Sequence, residues 1–294
     1  MKPPHRLPYV IEKHIGHTWL VVTGPWTDIV ESAVQRQEAE ILELNRARGF
    51  SEPDLEFLHE GLPIRALNLV LGFPDLSPLY RLGRQLEMLL LGDAQVLDLT
   101  RFQNLKTLAV DWNPVRDTLT SSQTLRDLHL WKFPERDLSF FAKHLGKLEE
   151  LQLVEARSLA SLDGLGSLRS LTALRILYGR SLRDISALGL AGERLQELEF
   201  QNCPHIESLN GVERVRSLRA LGISACARIE SLAPLQGLPV LEVLNAWGNT
   251  QIVDGDLSPV ATLPRLKELH MENRRHYRPQ VRDIAERLGR AERL

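Results

Sequence analysis

Apolar residues return along this chain in the pattern LxxLxL, with first positions at Ile64, Leu86, Leu105, Leu125, Leu148, Leu174, Leu195, Leu218, Leu241 and Leu266. The mean interval is about 22 residues, a period that marks a repeat architecture rather than generic apolar richness. Within one copy, Leu195-Gln196-Glu197-Leu198-Glu199-Phe200, side chains alternate. Leu198 and Phe200 point one way and Glu197, Glu199 and Gln201 the other, as a short strand requires. After the strand the spacing changes to three, as in Ile206, Leu209, Val212, Val215 and Leu218, and again in Ile229, Leu232, Leu235, Leu238 and Leu241. That spacing predicts short 3₁₀ turns, in which residues i and i+3 eclipse. One such strand buries little alone, so the copies must stack with their strands parallel and their leucines joined into one core.

The two ends lack the repeat and are predicted to cap it. Residues 17 to 26 read as one strand and a turn, and Thr27 to Arg48 as a helix running into a degenerate first copy, Ile41-Leu42-Glu43-Leu44-Asn45. Trp19 and Trp26 are expected in the core of this cap, because a cap must bury large apolar area against the first coil. From Arg274 onward come seven arginines against three acids, Asp283, Glu286 and Glu292. Pro279 stands at a helix-start position, and Val281, Ile284, Ala285 and Leu288 share one stripe. The predicted organisation is an N-terminal cap over residues 1–38, a solenoid of one degenerate and ten clear copies over 39–273, and a basic capping helix over 274–294.

These repeats resemble the leucine-rich-repeat family, in particular the short-return-segment subclass of internalin-like and protein-phosphatase-regulator proteins. The resemblance covers roughly residues 39 to 273. It implies an α/β solenoid with a curved parallel sheet on the concave side and short 3₁₀, α or irregular segments on the convex side. It also implies a non-catalytic protein-binding scaffold. Several positions depart from the family pattern. The ninth position, commonly Asn, holds Asn113 and Asn249 but Phe133, Ala156, Cys203 and Cys226 elsewhere. The third copy is short and the sixth late, with Gly179 in place of a sixth-position leucine, which predicts local irregularity between about 154 and 182.

Composition narrows the class. The chain has 294 residues, 25% of them charged, and a net charge of −2, too balanced for a nucleic-acid binder on charge alone. No apolar run approaches the roughly 18 residues of a membrane span, and no signal-like stretch follows Met1-Lys2-Pro3-Pro4-His5-Arg6, so the expected setting is the cytoplasm and the expected state a monomer. Cys203 and Cys226 occupy the same slot of adjacent copies; in a reducing compartment they are expected as small buried thiols rather than a disulfide. No GxSxG, HExxH, CxxC or GxxxxGK motif occurs, and His14 with His17 has only weak metal spacing, so no catalytic, cofactor or metal residues are assigned.

The outward strand positions are left to carry function. The fifth, seventh and eighth positions of the third to sixth copies read Ala109, Asp111, Trp112; His129, Trp131, Lys132; Gln152, Val154, Glu155; and Tyr178, Arg180, Ser181. The ninth copy adds Asn245, Trp247 and Gly248. Large aromatics with no core to enter suggest partner contact, since interface hot spots are rich in Trp, Tyr and Arg. Nine acids, Asp93, Asp111, Asp127, Glu150, Glu155, Glu197, Glu199, Glu268 and Glu272, face only Lys132 and Arg180 on this surface. The predicted site is Asp111, Trp112, His129, Trp131, Tyr178, Arg180, Glu199 and Trp247, gripping a basic protein or peptide. Alternatives are an immunity- or antitoxin-like inhibitor of a basic toxin, a nucleic-acid contact through the Arg-rich end, and an enzyme using His129 beside Asp111 and Asp127.

Overall fold

The computed structural model describes residues 7–14, 16–92, 96–191 and 193–291. Asp93 and Glu292, counted above, lie outside them. The chain divides into two compact units, residues 1–128 and 129–294.

In the first unit a hairpin of β1 (Tyr9–His14) and β2 (His17–Val22) opens the sheet, and β2 begins a parallel run through β3 (Ile41–Asn45), β4 (Ala66–Val70), β5 (Met88–Leu91) and β6 (Thr107–Asp111). The cap therefore holds two strands rather than one. β1 is an edge strand whose Ile11 is exposed, so it carries none of the alternation that would announce it. α1 (Asp28–Gln35) packs Val30, Ala33 and Val34 into the core. Trp19 and Trp26 are only half-buried. Trp26 stacks on Phe57 at 4.3 Å, and the Trp19 indole N–H donates to the His14 carbonyl at 3.1 Å.

β7 (Asp127–Trp131) contains the point of division. In the second unit β8 (Glu150–Val154), β9 (Ala173–Leu177), β10 (Glu197–Gln201), β11 (Ala220–Ser224), β13 (Val243–Ala246) and β15 (Glu268–Met271) follow in parallel, while β12 (Arg228–Ile229) and β14 (Gln251–Ile252) pair separately on the return side. Leu151, Leu174, Leu198, Leu221, Leu244 and Leu269 align across the strands, and all but Leu269 are buried. Return segments contain the predicted 3₁₀ turns, for example Leu165–Ser167, Val212–Arg214 and Ala233–Leu235, beside the short helices α2 (Trp112–Val115), α3 (Ser139–His144) and α4 (Ser258–Ala261).

The predicted irregularity between 154 and 182 is absent, because the sixth copy starts at Leu171, not Leu174. Leu171-Thr172-Ala173-Leu174-Arg175-Ile176 is itself an LxxLxI copy, and β9 pairs without a slip with both β8 and β10. Gly179 therefore takes a turn position, where an added Cβ would meet the Cys203 sulfur at 3.1 Å.

Neither Asn113 nor Asn249 brackets a turn from inside, since both are exposed. That work falls to smaller groups. The Cys203 and Cys226 thiols donate to the carbonyls of Ile176 and Phe200 at 3.5 and 3.3 Å, and the Thr250 hydroxyl to that of Ile223 at 2.6 Å. Both cysteines are free and buried.

At the C-terminal end α5 (Val281–Ala291) starts two residues after Pro279, and its first N–H donates to the Asn273 side chain at 3.0 Å. Val281 and Ile284 are buried but Ala285 is exposed, so the stripe is narrower than predicted. Tyr277 is fully buried, and its hydroxyl accepts the Ile252 N–H at 3.0 Å.

Candidate partner-binding face

In the second unit, alternation puts every other strand residue on the open face of the sheet. Register fixes two rows. The lower row, at the fifth repeat position, runs Gln152, Arg175, Glu199, Gly222, Asn245, His270, and the upper, at the seventh, runs Val154, Leu177, Gln201, Ser224, Trp247. Immediately after the strands, Lys132, Glu155, Tyr178, Asn202 and Ala225 all have positive φ, between 54° and 60°. Each donates its N–H to the next strand's upper-row carbonyl: Lys132 to Val154, Glu155 to Leu177, Tyr178 to Gln201, Asn202 to Ser224 and Ala225 to Trp247, at 2.7–3.0 Å. The same bond places Trp131 at the head of the upper row and His129 at the head of the lower.

Of the predicted site, His129, Trp131, Glu199 and Trp247 stand on this face. Trp247 is 49% exposed and stacks on His270 at 6.5 Å; Trp131 is half-buried. Tyr178, 43% exposed, sits at the rim rather than at the fifth position, and Arg180 lies in the turn beyond. Asp111 is half-buried in the first unit at the end of β6. Trp112 is corrected outright: only 3% exposed, it opens α2, and the helical turn rotates its ring into the core.

The shift of frame also exposes what was missed. Arg175 is the lower-row residue of its copy, and its guanidinium bridges Glu150 at 2.8 Å and Glu197 at 2.5 Å on the two flanking strands. Burial opposes its charge, but the two carboxylates outweigh that and raise its pKa. Other carboxylates are also paired: Glu155 with Arg157 at 3.0 Å, Glu268 with His270 at 3.1 Å and Glu272 with Arg274 at 3.5 Å. The face keeps an acidic excess, yet most of it is held locally. Among the described residues no group of three or more His, Cys, Asp or Glu could hold a metal, and no helix is long and apolar enough to cross a membrane. His14 and His17 face each other across the β1–β2 turn, with His17 3.4 Å from Glu40.

No family model matches the chain, and no curated protein does. Among solved structures, the functional domain of InlJ from Listeria monocytogenes, which includes a cysteine ladder, is 22% identical over 78% of this chain and 48% of its own, with a TM-score of 0.52. The fold is that of a leucine-rich-repeat solenoid. Two further leucine-rich-repeat structures align with it. They are the internalin InlF from Listeria monocytogenes (23% identity, 86% of this chain and 66% of that one, TM-score 0.45) and the plant peptide hormone receptor RGFR1 in complex with RGF2 (13%, 89% and 40%, TM-score 0.44). The chain spans less than two thirds of the length of these structures.

Proposed function

We propose that this protein is a non-catalytic binding module that holds a protein or peptide on the sheet face of residues 129–294. The observation that carries the reading is the upper row: Trp131, Val154 and Leu177 at one end and Trp247 at the other, with Tyr178 at the rim. Aromatic and aliphatic side chains stand there in register, Trp247 and Tyr178 exposed and Trp131, Val154 and Leu177 half-buried. Across five strand intervals of about 4.8 Å the two tryptophans are about 24 Å apart, a span suited to an extended segment or the edge of a folded partner. Burying an exposed tryptophan in an interface contributes strongly to affinity. The buried free thiols Cys203 and Cys226 fit a reducing compartment.

Affinity capture from source-organism lysate with wild type and a Trp131→Ala, Trp247→Ala double variant tests this reading. A protein retained by wild type and released by the double variant is the expected result. Equal retention by both would place binding elsewhere on the molecule.

A further inference from the structure

We infer that the face carries a receptor for one basic side chain, an arginine or lysine of the partner, seated over Gly222 between Glu199 and Trp247. This rests on the reading of that face as a binding surface and names the chemistry it selects.

Three observations converge. First, β11 presents only Ala220, Gly222 and Ser224 to the face, so the surface drops between β10 and β13. Gly222 lies inside a strand with no positive φ, so its backbone does not require glycine. A glycine inside a strand costs stability and is compatible with a close approach to the backbone at that point. Second, Glu199 leans across this gap: a Cβ on Gly222 would stand 3.1 Å from its Cγ. Unlike Glu150, Glu155, Glu197, Glu268 and Glu272, each tied to an Arg or His, Glu199 has no ion-pair or hydrogen-bond partner among the described residues. Arg175, its neighbour in the lower row, is committed to Glu150 and Glu197. Third, the far wall is Asn245 and Trp247. Asn245 accepts the Ser224 hydroxyl at 3.2 Å, and Trp247, 49% exposed, follows β13 with its indole stacked on His270 of β15.

A half-buried carboxylate without a cation, a low strip of small residues on β11 and an exposed aromatic beyond it suit a long side chain with a cationic head. Its head would hydrogen-bond Glu199, and its stem would lie along the low strip of β11 toward Trp247. A neutral apolar segment would leave Glu199 covered and unpaired.

The test is selection of a displayed random dodecapeptide library on wild type, Glu199→Gln and Gly222→Leu, followed by affinity measurement with the synthesised wild-type consensus. Glu199→Gln is isosteric, and thermal unfolding verifies that each variant is folded. The expected consensus holds one invariant Arg or Lys beside apolar residues. Its affinity should fall about tenfold on Glu199→Gln and on Gly222→Leu, and changing that basic residue to Gln should cost little further in Glu199→Gln. A consensus without a basic residue, or one bound equally by Glu199→Gln, would overturn the inference while leaving the binding face standing. Failure of wild type to select any peptide that competes through Trp131 or Trp247 would overturn the inference and, with it, peptide binding on this face.

Discussion

At the scale of single residues, what the chain does just after a strand decides whether a tryptophan is core or surface. Trp247 follows the last strand residue of its copy, Ala246, and continues the alternation outward. Trp112 follows Asp111, whose backbone is still extended at φ −63° and ψ 151°, but is itself the first residue of a helical turn, which carries its ring inward. Both tryptophans directly follow a strand, but Trp247 stands at the seventh repeat position and Trp112 at the eighth, one residue further on, where the helical turn begins. Trp112→Ala should cost about 3–5 kcal/mol of stability, as for a large aromatic removed from a packed core. Trp247→Ala should cost less than about 1 kcal/mol, since it surrenders surface area and one stack on His270. Urea unfolding of the two variants measures both, and equal losses would contradict the placement. The same scale explains Arg175: once it is a lower-row residue, its position between two glutamates follows from the strand spacing alone.

At the scale of elements, each return segment needs its first N–H groups satisfied, and a short motif does it repeatedly. Asp75, Asp98, Asp137, Asp184 and Asp256 each accept the backbone N–H two residues on, from Ser77, Thr100, Ser139, Ser186 and Ser258, at 2.8–3.0 Å. The carboxyls of Asp75, Asp98, Asp184 and Asp256 are held below their ordinary range. The Ser77 N–H is the main cause at Asp75, and the Thr100, Ser186 and Ser258 hydroxyls are at the other three. A depressed folded-state pKa means that the unfolded chain binds protons first on acidification. This stabilisation is therefore complete above the unfolded value of about 3.9 and is lost as pH falls through the folded values. A quadruple Asp→Asn variant at these four sites keeps an acceptor oxygen but cannot titrate. Its urea midpoint should fall less than that of wild type between about pH 5 and pH 3, and parallel curves would refute the linkage. The repeat strands were legible in the sequence because their inward leucines must be apolar whatever the partner. The phase of the copy at Leu171 was not, since Leu171 and Leu174 both open a plausible LxxLx run and only pairing across strands chooses between them. β1 was hidden for the opposite reason: an exposed edge strand has no buried face to print a pattern.

At the scale of the whole molecule, a solenoid gains stability from contacts between neighbouring copies, so protection within a unit should follow the number of paired neighbours. In residues 129–294, β10 is bonded on both sides by β9 and β11, whereas β15 is bonded only to β13 and is closed off by the terminal segment. Hydrogen exchange followed by mass spectrometry should find the β10 and β11 amides slowest and those of β15 and α5 fastest. In residues 1–128 the edge strand β1 should exchange before β3 and β4. Tyr277→Phe sharpens the test, because it deprives the buried Ile252 N–H of its acceptor and should speed exchange there while leaving β10 unchanged. One common rate for all strands of a unit would instead show all-or-none opening. Slow exchange in β9 to β11 bears on binding as well. Those strands carry Arg175, Glu199 and Gly222, and a face already fixed before the partner arrives spends none of its contact energy on ordering itself.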